Sequence, residues 1–336
     1  MTFRWVPFCS TFFLLCFIQI VSAVAADSDS KPVPNGGAGL FVAVGYGGRR
    51  ISSRDGIAWE NDQQWSEKAA DDDNVLFNVA FGKGKFVVVG GASNGHILIT
   101  RNGKEYTEVF KPKGRVATVN FGNGMFVAGH GGEYLVSTDG ETWTAGSKFQ
   151  FNGGLHQRKS AFGNGVFVTI GDADPGWKNR VAFRSSTPDG VKTASFDVNS
   201  PPARSIAFGA GRFVVVGPDG LRESSTDGKA WEHTEKLPGE NLNSVIWTGT
   251  QFIAGGDKSA FTSPDGIAWT QEKKHIPCTM LFADKDIMIG ASWGGNIFNS
   301  TNGLDWKKGA IKAGNSFEAV SFGVPVAPAA LETLQK

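Results

Sequence analysis

The chain has 336 residues, of which 33 are basic and 32 acidic, so its formal net charge is +1 at pH 7. This balance argues against a nucleic acid or another polyanion as a partner, because proteins that bind polyanions concentrate Lys and Arg. The 45 glycines and ten tryptophans, with few helix-forming runs, indicate many short strands joined by tight turns.

The first residues have the pattern of an export signal. Arg4 precedes an apolar run, Phe12–Val24, and small residues stand just before Asp27. This order is typical of a secretory signal peptide, which we assign to residues 1–26. We therefore expect a secreted or periplasmic protein without stable membrane insertion after cleavage; an uncleaved anchor is the alternative.

Signal cleavage would change the cysteine content. It would remove Cys9 and Cys16 and leave Cys278 alone, so no intramolecular disulfide is expected. The apolar neighbours of Cys278 favour a buried, inert thiol. Residues 27–38, which include a Pro/Gly/Asn segment without periodicity, are interpreted as a flexible leader.

Residues 39–323 repeat one unit of about 41 residues. A strand such as Asn78–Gly82 ends in an aromatic residue and glycine, and in the cleanest copies a Gly-x-Gly turn follows. Next comes an apolar, β-branched strand such as Lys85–Gly90, then a variable loop and two strands joined by an Asp-Gly or Asn-Gly turn. This order predicts a four-stranded antiparallel meander.

The turn between the last two strands of each unit is the clearest repeat. An aromatic residue follows three positions after the glycine in six of seven copies. The copies are Asp55-Gly56, Asn102-Gly103, Asp139-Gly140, Asp189-Gly190, Asp227-Gly228, Asp265-Gly266 and Asn302-Gly303. The pair predicts a two-residue type I′ turn with positive φ at both residues. We interpret this sequence as a fold-stabilising element, not as a binding site.

The two ends of the repeat region fit each other. The first unit, which begins with Leu40–Gly45, lacks a leading strand, and Phe317–Gly323 supplies one without a second strand after it. We therefore predict an all-β, seven-bladed β-propeller of four-stranded antiparallel blades, in which the C-terminal strand completes the first blade. A linear solenoid is the alternative. Residues 324–336 are expected to form a C-terminal tail.

The turn sequences Ser137–Trp143, Ser225–Trp231 and Ser263–Trp269 resemble the Asp-box, or bacterial neuraminidase repeat, of sialidase-like propellers. The resemblance covers residues 39–323 and implies a propeller fold, although the family's box usually has one more residue between Asp and Gly. It does not carry an activity. The Arg-Ile-Pro motif of the sialidases is absent, and no sialidase catalytic residue can be matched to a position in this sequence.

In such a propeller the variable loops emerge on one face, where a ligand site is expected. Aromatic rings beside charged groups in these loops could stack on a sugar and bond its hydroxyls. The candidate ligand-binding residues are Arg49, Arg50, Trp65, Asp172, Asp174, Trp177, Arg180 and Trp293. Four of them lie in the segment Gly171–Arg180, which the sequence predicts to be the longest loop between a second and a third strand.

These features lead to two functional hypotheses. The first is a monomeric binding or scaffold module for a glycan or a protein, with no enzyme activity and no cofactor. The alternative is a glycan-processing hydrolase or lyase, favoured if acidic and basic residues cluster around the central funnel and excluded if only small or apolar residues line it. His96, His130 and His156 fall in loops of one face, but no close spacing suggests a metal site.

Overall fold

The computed structural model describes residues 39–68, 71, 73–176, 180–192, 195–198, 200–284 and 287–326. These residues form seven four-stranded antiparallel sheets and a single 3-10 turn at Tyr46–Gly48. No helix in these ranges is long and apolar enough to cross a membrane. The predicted signal peptide, the leader and residues 327–336 lie outside the described residues.

Each sheet is one blade, and the blades follow one another along the chain. Blade 1 contains β1 (Leu40–Gly45), β2 (Arg50–Ser53), β3 (Trp59–Gln63) and β28 (Phe317–Gly323). Blades 2 to 4 contain β4 (Leu76–Gly82), β5 (Lys85–Gly90), β6 (His96–Thr100), β7 (Thr107–Phe110), β8 (Val116–Gly122), β9 (Met125–His130), β10 (Glu133–Ser137), β11 (Thr144–Lys148), β12 (Gly153–Gly163), β13 (Val166–Pro175), β14 (Val181–Thr187) and β15 (Ser195–Val198). Blades 5 to 7 contain β16 (Ser205–Gly209), β17 (Arg212–Val216), β18 (Arg222–Ser225), β19 (Glu232–Glu235), β20 (Leu242–Trp247), β21 (Phe252–Gly256), β22 (Ala260–Ser263), β23 (Thr270–Glu272), β24 (Met280–Asp284), β25 (Ile287–Ser292), β26 (Asn296–Ser300) and β27 (Lys307–Lys308).

The ring closes as the sequence predicts. β28 pairs antiparallel with β1, with Leu40 opposite Gly323 and Ala43 opposite Val320. The leading strands β4, β8, β12, β16, β20, β24 and β28 contact one another in a continuous circle. The molecule is therefore a seven-bladed β-propeller whose innermost strands surround a central axis, and the linear solenoid is excluded.

The structure corrects the predicted turn type. Both central residues have positive φ in the four Gly-x-Gly turns that join first and second strands in blades 2 to 5, as at Asn123 (φ 48°) and Gly124 (φ 74°). In the Asp-Gly turns the glycine has positive φ, as Gly140 does at 79°, but the preceding Asp or Asn does not. The type I′ geometry was therefore predicted at the wrong turn.

Side-chain hydrogen bonds determine the Asp-Gly turn instead. Asp139 Oδ1 accepts the main-chain N–H groups of Glu141 and Thr142, each at 2.7 Å, and Ser137 Oγ accepts that of Gly140 at 2.8 Å. An aspartate that bonds amides two and three residues ahead mimics a main-chain turn without needing positive φ. Burial raises the pKa of Asp139, but the hydrogen bonds that its carboxylate accepts from Thr142, Glu141 and Ser137 outweigh this effect and lower the pKa to about 2.

The hydrophobic core lies between neighbouring blades. Val87 and Val89 of blade 2, for example, pack against Val119 and Ala128 of blade 3. At the end of most innermost strands, the glycine receives the aromatic ring of the next blade. A Cβ would overlap that ring in the pairs Gly82–Phe121, Gly122–Phe162, Gly163–Phe208, Gly209–Trp247 and Gly323–Phe81. The repeated aromatic-glycine sequence thus sets how closely the blades approach one another.

Candidate ligand-binding funnel

A cavity of about 600 Å³, which we call the funnel, lies at the centre of the ring where the second-to-third-strand loops and the connections between blades emerge. Blades 1 to 5 supply its walls. The lining residues are Tyr46, Phe77, Ala92, Arg115, Arg158, Lys159, Asp172, Pro202, Ala203, Arg204, Pro218 and Glu318. Four of these are basic and two are acidic, so the funnel carries an excess of positive charge.

Irregular pairing between the first and second strands turns several of these side chains toward the funnel. In five blades the pairing of the first two strands shifts by one residue and leaves one residue extra. The extra residues are Phe77, Ala117, Arg158, Asn243 and Glu318. Such β-bulges re-aim side chains and are common beside functional sites. Here three of the five, Phe77, Arg158 and Glu318, line the funnel.

Two basic side chains are held by contacts across blade boundaries. The guanidinium of Arg115 stacks on the ring of Phe77, 3.8 Å from its centroid. Lys159 Nζ donates to the main-chain oxygen of Glu318 at 3.1 Å, which links blade 4 to blade 1. Burial lowers the pKa of Lys159; the negative charge of Glu318 opposes this shift and the positive charge of Arg115 adds to it.

The other two bases contact acidic partners directly or through an amide. Arg158 forms an ion pair with Asp172. Arg204 donates to Asn243 Oδ1 at 2.5 Å, and Asn243 in turn donates to Asp257 at 2.7 Å. Hydrogen bonds from Asn243 and Asn241 lower the pKa of Asp257. Each base is therefore oriented before any ligand arrives.

The first half of the segment Gly171–Arg180, predicted to be a long loop, is strand. β13 continues to Pro175, and its residue Asp172 lies opposite His156 of β12, so blade 4 carries an extended hairpin. The connecting loop is correspondingly shorter than predicted, because β14 begins at Val181. Asp172 lines the funnel, whereas Asp174 contacts His156 at 3.3 Å and Arg180 at 3.4 Å.

The predicted tryptophans have different surroundings. Trp293 is 67 % exposed, and its ring centroid lies 6.1 Å from that of Tyr46. Trp65 is 41 % exposed and packs against His96 and the guanidinium of Arg50. Trp177 lies outside the described residues. Tyr46 thus connects Trp293 to the funnel, whereas Trp65 lies between Arg50 of blade 1 and His96 of blade 2.

The adjacent pair Arg49 and Arg50 is buried, which corrects its predicted position on an exposed loop. Arg49 donates to Asp62 and to the main-chain oxygens of Lys312 and Asn315. Arg50 is the first residue of β2, and its guanidinium lies over the rings of Trp65 and Tyr106. Arg49 therefore links Asp62 to the chain at 312–315, and Arg50 links blade 1 to the rings of Trp65 and Tyr106.

The three histidines that the sequence places in loops lie in strands, at the start of β6, the end of β9 and within β12, and each contacts a carboxylate of its own blade. The distances are 2.5 Å for His96–Glu108, 3.1 Å for His130–Glu133 and 3.3 Å for His156–Asp174. Among the described residues, no group of three or more His, Cys, Asp or Glu side chains could hold a metal ion. The histidines are therefore placed separately around the ring.

The sequence analysis missed most of the funnel, although the repeat contained a signal for it. Aligning the units on the aromatic residue before the glycine places the funnel side chains Phe77, Arg158, Arg204 and Glu318 four positions earlier. The same position holds Ala117, Asn243 and Cys278 in the other blades. Ala117 and Cys278 are buried at this position, whereas the bases, the acid and the aromatic residue line the funnel, so the variation in residue type marks the blades that contribute to the cavity.

No family model and no curated protein matches this sequence. Several solved structures share its fold. A structure of YCF48 bound to a D1 peptide aligns with a TM-score of 0.55 and 17 % identity, covering 80 % of this chain and 88 % of that one. The chain is similar in fold to that propeller.

Two further structures align more weakly. The Saccharomyces cerevisiae protein Sqt1 gives a TM-score of 0.47 and 13 % identity, over 74 % of this chain and 88 % of that one. The extracellular domain of BT4673 from B. thetaiotaomicron gives 0.46 and 10 % identity over 83 % of this chain, which spans only 39 % of that longer chain.

Proposed function

We propose that the protein is an exported binding module that takes an acidic segment of a partner protein into its central funnel. The observation that carries this proposal is the positively charged lining, in which four bases outnumber two acids. Export is part of the proposal because it follows from the predicted signal peptide at residues 1–26.

The geometry supports an acidic ligand for electrostatic reasons. Arg115, Lys159 and Arg204 approach the funnel from three neighbouring blades, and Lys159 is partly desolvated. A ligand carboxylate about 4 Å from one such cation gains roughly 4 kcal/mol of Coulomb energy at an effective dielectric constant of 20. Each base is already oriented, so less side-chain entropy is lost on binding.

The apolar side of the funnel supports a protein segment. Tyr46, Phe77, Pro202 and Pro218 lie in the same lining as the bases. A segment with both acidic and apolar side chains could contact both parts, and clefts of mixed character are typical of ligand sites. The YCF48 structure of similar fold contains a bound peptide, which is the ligand class proposed here.

Site-specific photo-cross-linking tests this proposal. A benzophenone amino acid replaces Phe77 at the funnel in one variant and exposed Ile57, in an Asp-Gly turn on the opposite face, in a matched control. We expect a defined partner adduct from position 77 in the producing cells, lost when Arg204→Glu is added. Equal adducts from positions 57 and 77, or none from 77, would contradict the proposal.

A glycan-processing hydrolase or lyase is the second candidate, because acidic and basic side chains do cluster in the funnel. Asp172 and Glu318 are its carboxylates. Incubation of the mature protein with defined glycans, followed by mass spectrometry of the products, tests this candidate. Turnover that Asp172→Asn abolishes would support it over the binding module.

A further inference from the structure

Two neighbouring blades present the same short loop beside the funnel. The sequence Tyr46-Gly47-Gly48 joins β1 to β2 in blade 1, and Trp293-Gly294-Gly295 joins β25 to β26 in blade 7. All four glycines have positive φ, between 64° and 79°. The aromatic rings at the heads of the two loops are 6.1 Å apart and inclined by 34°. The two rings form a surface that we call the aromatic platform.

The loops under this platform are held by a dense set of contacts. Ser316 accepts the main-chain N–H of Tyr46 at its carbonyl oxygen and that of Gly294 at its hydroxyl, at 2.9 and 3.1 Å. Asn296 donates its side-chain amide to the carbonyl oxygen of Trp293 at 2.6 Å. A Cβ at Gly295 would overlap the guanidinium of Arg49, which is itself fixed by four hydrogen bonds. The platform is therefore preorganised, with the guanidinium of Arg49 packed closely against Gly295.

The exposure of Trp293 is not explained by the fold. A three-residue hairpin loop with two glycines needs no large side chain, yet 67 % of this tryptophan is exposed to solvent. An indole ring that stays in water forgoes the free energy that its burial would contribute. Trp143 at an Asp-Gly turn, by comparison, is only 7 % exposed. A rigidly held, exposed ring is what a stacking ligand requires.

We propose that the aromatic platform of Trp293 and Tyr46 binds a neutral sugar ring, separately from the acidic segment proposed for the funnel. A pyranose stacks one apolar face on an aromatic ring and keeps its hydroxyl edges in contact with water or polar groups. Asn296 and Ser316 adjoin the platform, and an amide or hydroxyl can both donate to and accept from a sugar hydroxyl.

The alternative ligand is an apolar peptide side chain, such as proline. Such a side chain binds best when it is enclosed, because its other face would otherwise remain in water. The exposure of Trp293 indicates an open surface that covers one face only. A sugar satisfies this geometry, since its second face and its edges are compatible with solvent.

Binding to an array of neutral oligosaccharides tests the proposal. The mature protein is compared with Trp293→Ala and with the control Ile57→Ala, which removes an exposed apolar side chain on the opposite face. Far-UV circular dichroism verifies that each variant is folded. We expect at least one oligosaccharide to bind the wild-type protein and the control, with affinity for Trp293→Ala reduced about tenfold, the scale of one aromatic stacking contact.

Two results would overturn this assignment. One is the absence of binding to every neutral oligosaccharide; the other is equal binding by Trp293→Ala and wild type. A proline-rich peptide whose binding requires Trp293, when no sugar binds, would assign the platform to a peptide instead. The variant Arg204→Glu separates the two proposals, because it should abolish binding in the funnel and leave sugar binding unchanged.

Discussion

Removing the C-terminal strand should cost most of the stability of the propeller. A chain that ends at Ser316 lacks β28, so β1 becomes an open edge and blade 1 loses its innermost strand. Phe317 and Val320 are nearly fully buried, and the ring of Phe322 packs 4.6 Å from that of Phe41. At roughly 1.5–3 kcal/mol for each of these three apolar side chains, the loss is about 4.5–9 kcal/mol.

A loss of this size is comparable to the whole stability of many domains, about 5–15 kcal/mol. The matched control is a chain that ends at Val326, which keeps β28 and removes only residues 327–336. Thermal unfolding followed by circular dichroism should show a cooperative transition for the control. The chain ending at 316 should melt at least about 10 °C lower or lack a cooperative transition. Melting temperatures within about 2 °C of each other would refute the closure argument.

Three further predictions concern packing, pH and thiol chemistry. Gly163→Ala should destabilise the protein by about 1–3 kcal/mol in urea unfolding, because the new methyl group overlaps Phe208. The ionised carboxylate of Asp139 stabilises the fold above the unfolded pKa near 4, and this contribution is lost as the pH falls to about 2. Asp139→Asn should therefore reduce the loss of stability between pH 4 and pH 2. Burial raises the pKa of Cys278 to about 12, so Ellman's reagent at pH 8 should label it only after unfolding.

Each of these predictions has a control or a contrary outcome. Gly132→Ala should be nearly neutral, because its Cβ would meet only Leu155 at 3.7 Å. A cost as large as that of Gly163→Ala would remove the packing explanation. Identical acid-unfolding curves for wild type and Asp139→Asn would contradict the pH argument. Rapid labelling of the native protein would show that Cys278 is accessible.

Much of the architecture could be predicted from local sequence, because the same pattern of strands and turns occurs in seven copies. The β-branched runs, the tight turns and the period of about 41 residues together define four-stranded blades. The unmatched strand Phe317–Gly323 predicts the closure that its pairing with β1 confirms. The aromatic-glycine sequence was visible as well, although its role as an interblade contact was not, since the two residues in contact belong to different units.

The errors concern properties that depend on neighbours. The Asp-Gly pair is locally compatible with a type I′ turn, but the hydrogen bonds of Asp139 and Ser137 select another conformation. Arg49 is charged and follows two glycines, so its local sequence predicts an exposed side chain. It is nevertheless buried because Asp62 and the chain around Asn315, distant in sequence, surround it with acceptors.

The sequence by itself determined the seven-bladed ring and the face on which its variable loops emerge, because strand order and turn spacing are local properties that repeat. Only the tertiary structure determined which side chains come together on that face. The funnel and the aromatic platform are built from single side chains of different blades, such as Lys159 beside Glu318 and Trp293 beside Tyr46. The distances between such residues follow from ring closure, which no single unit of the sequence encodes.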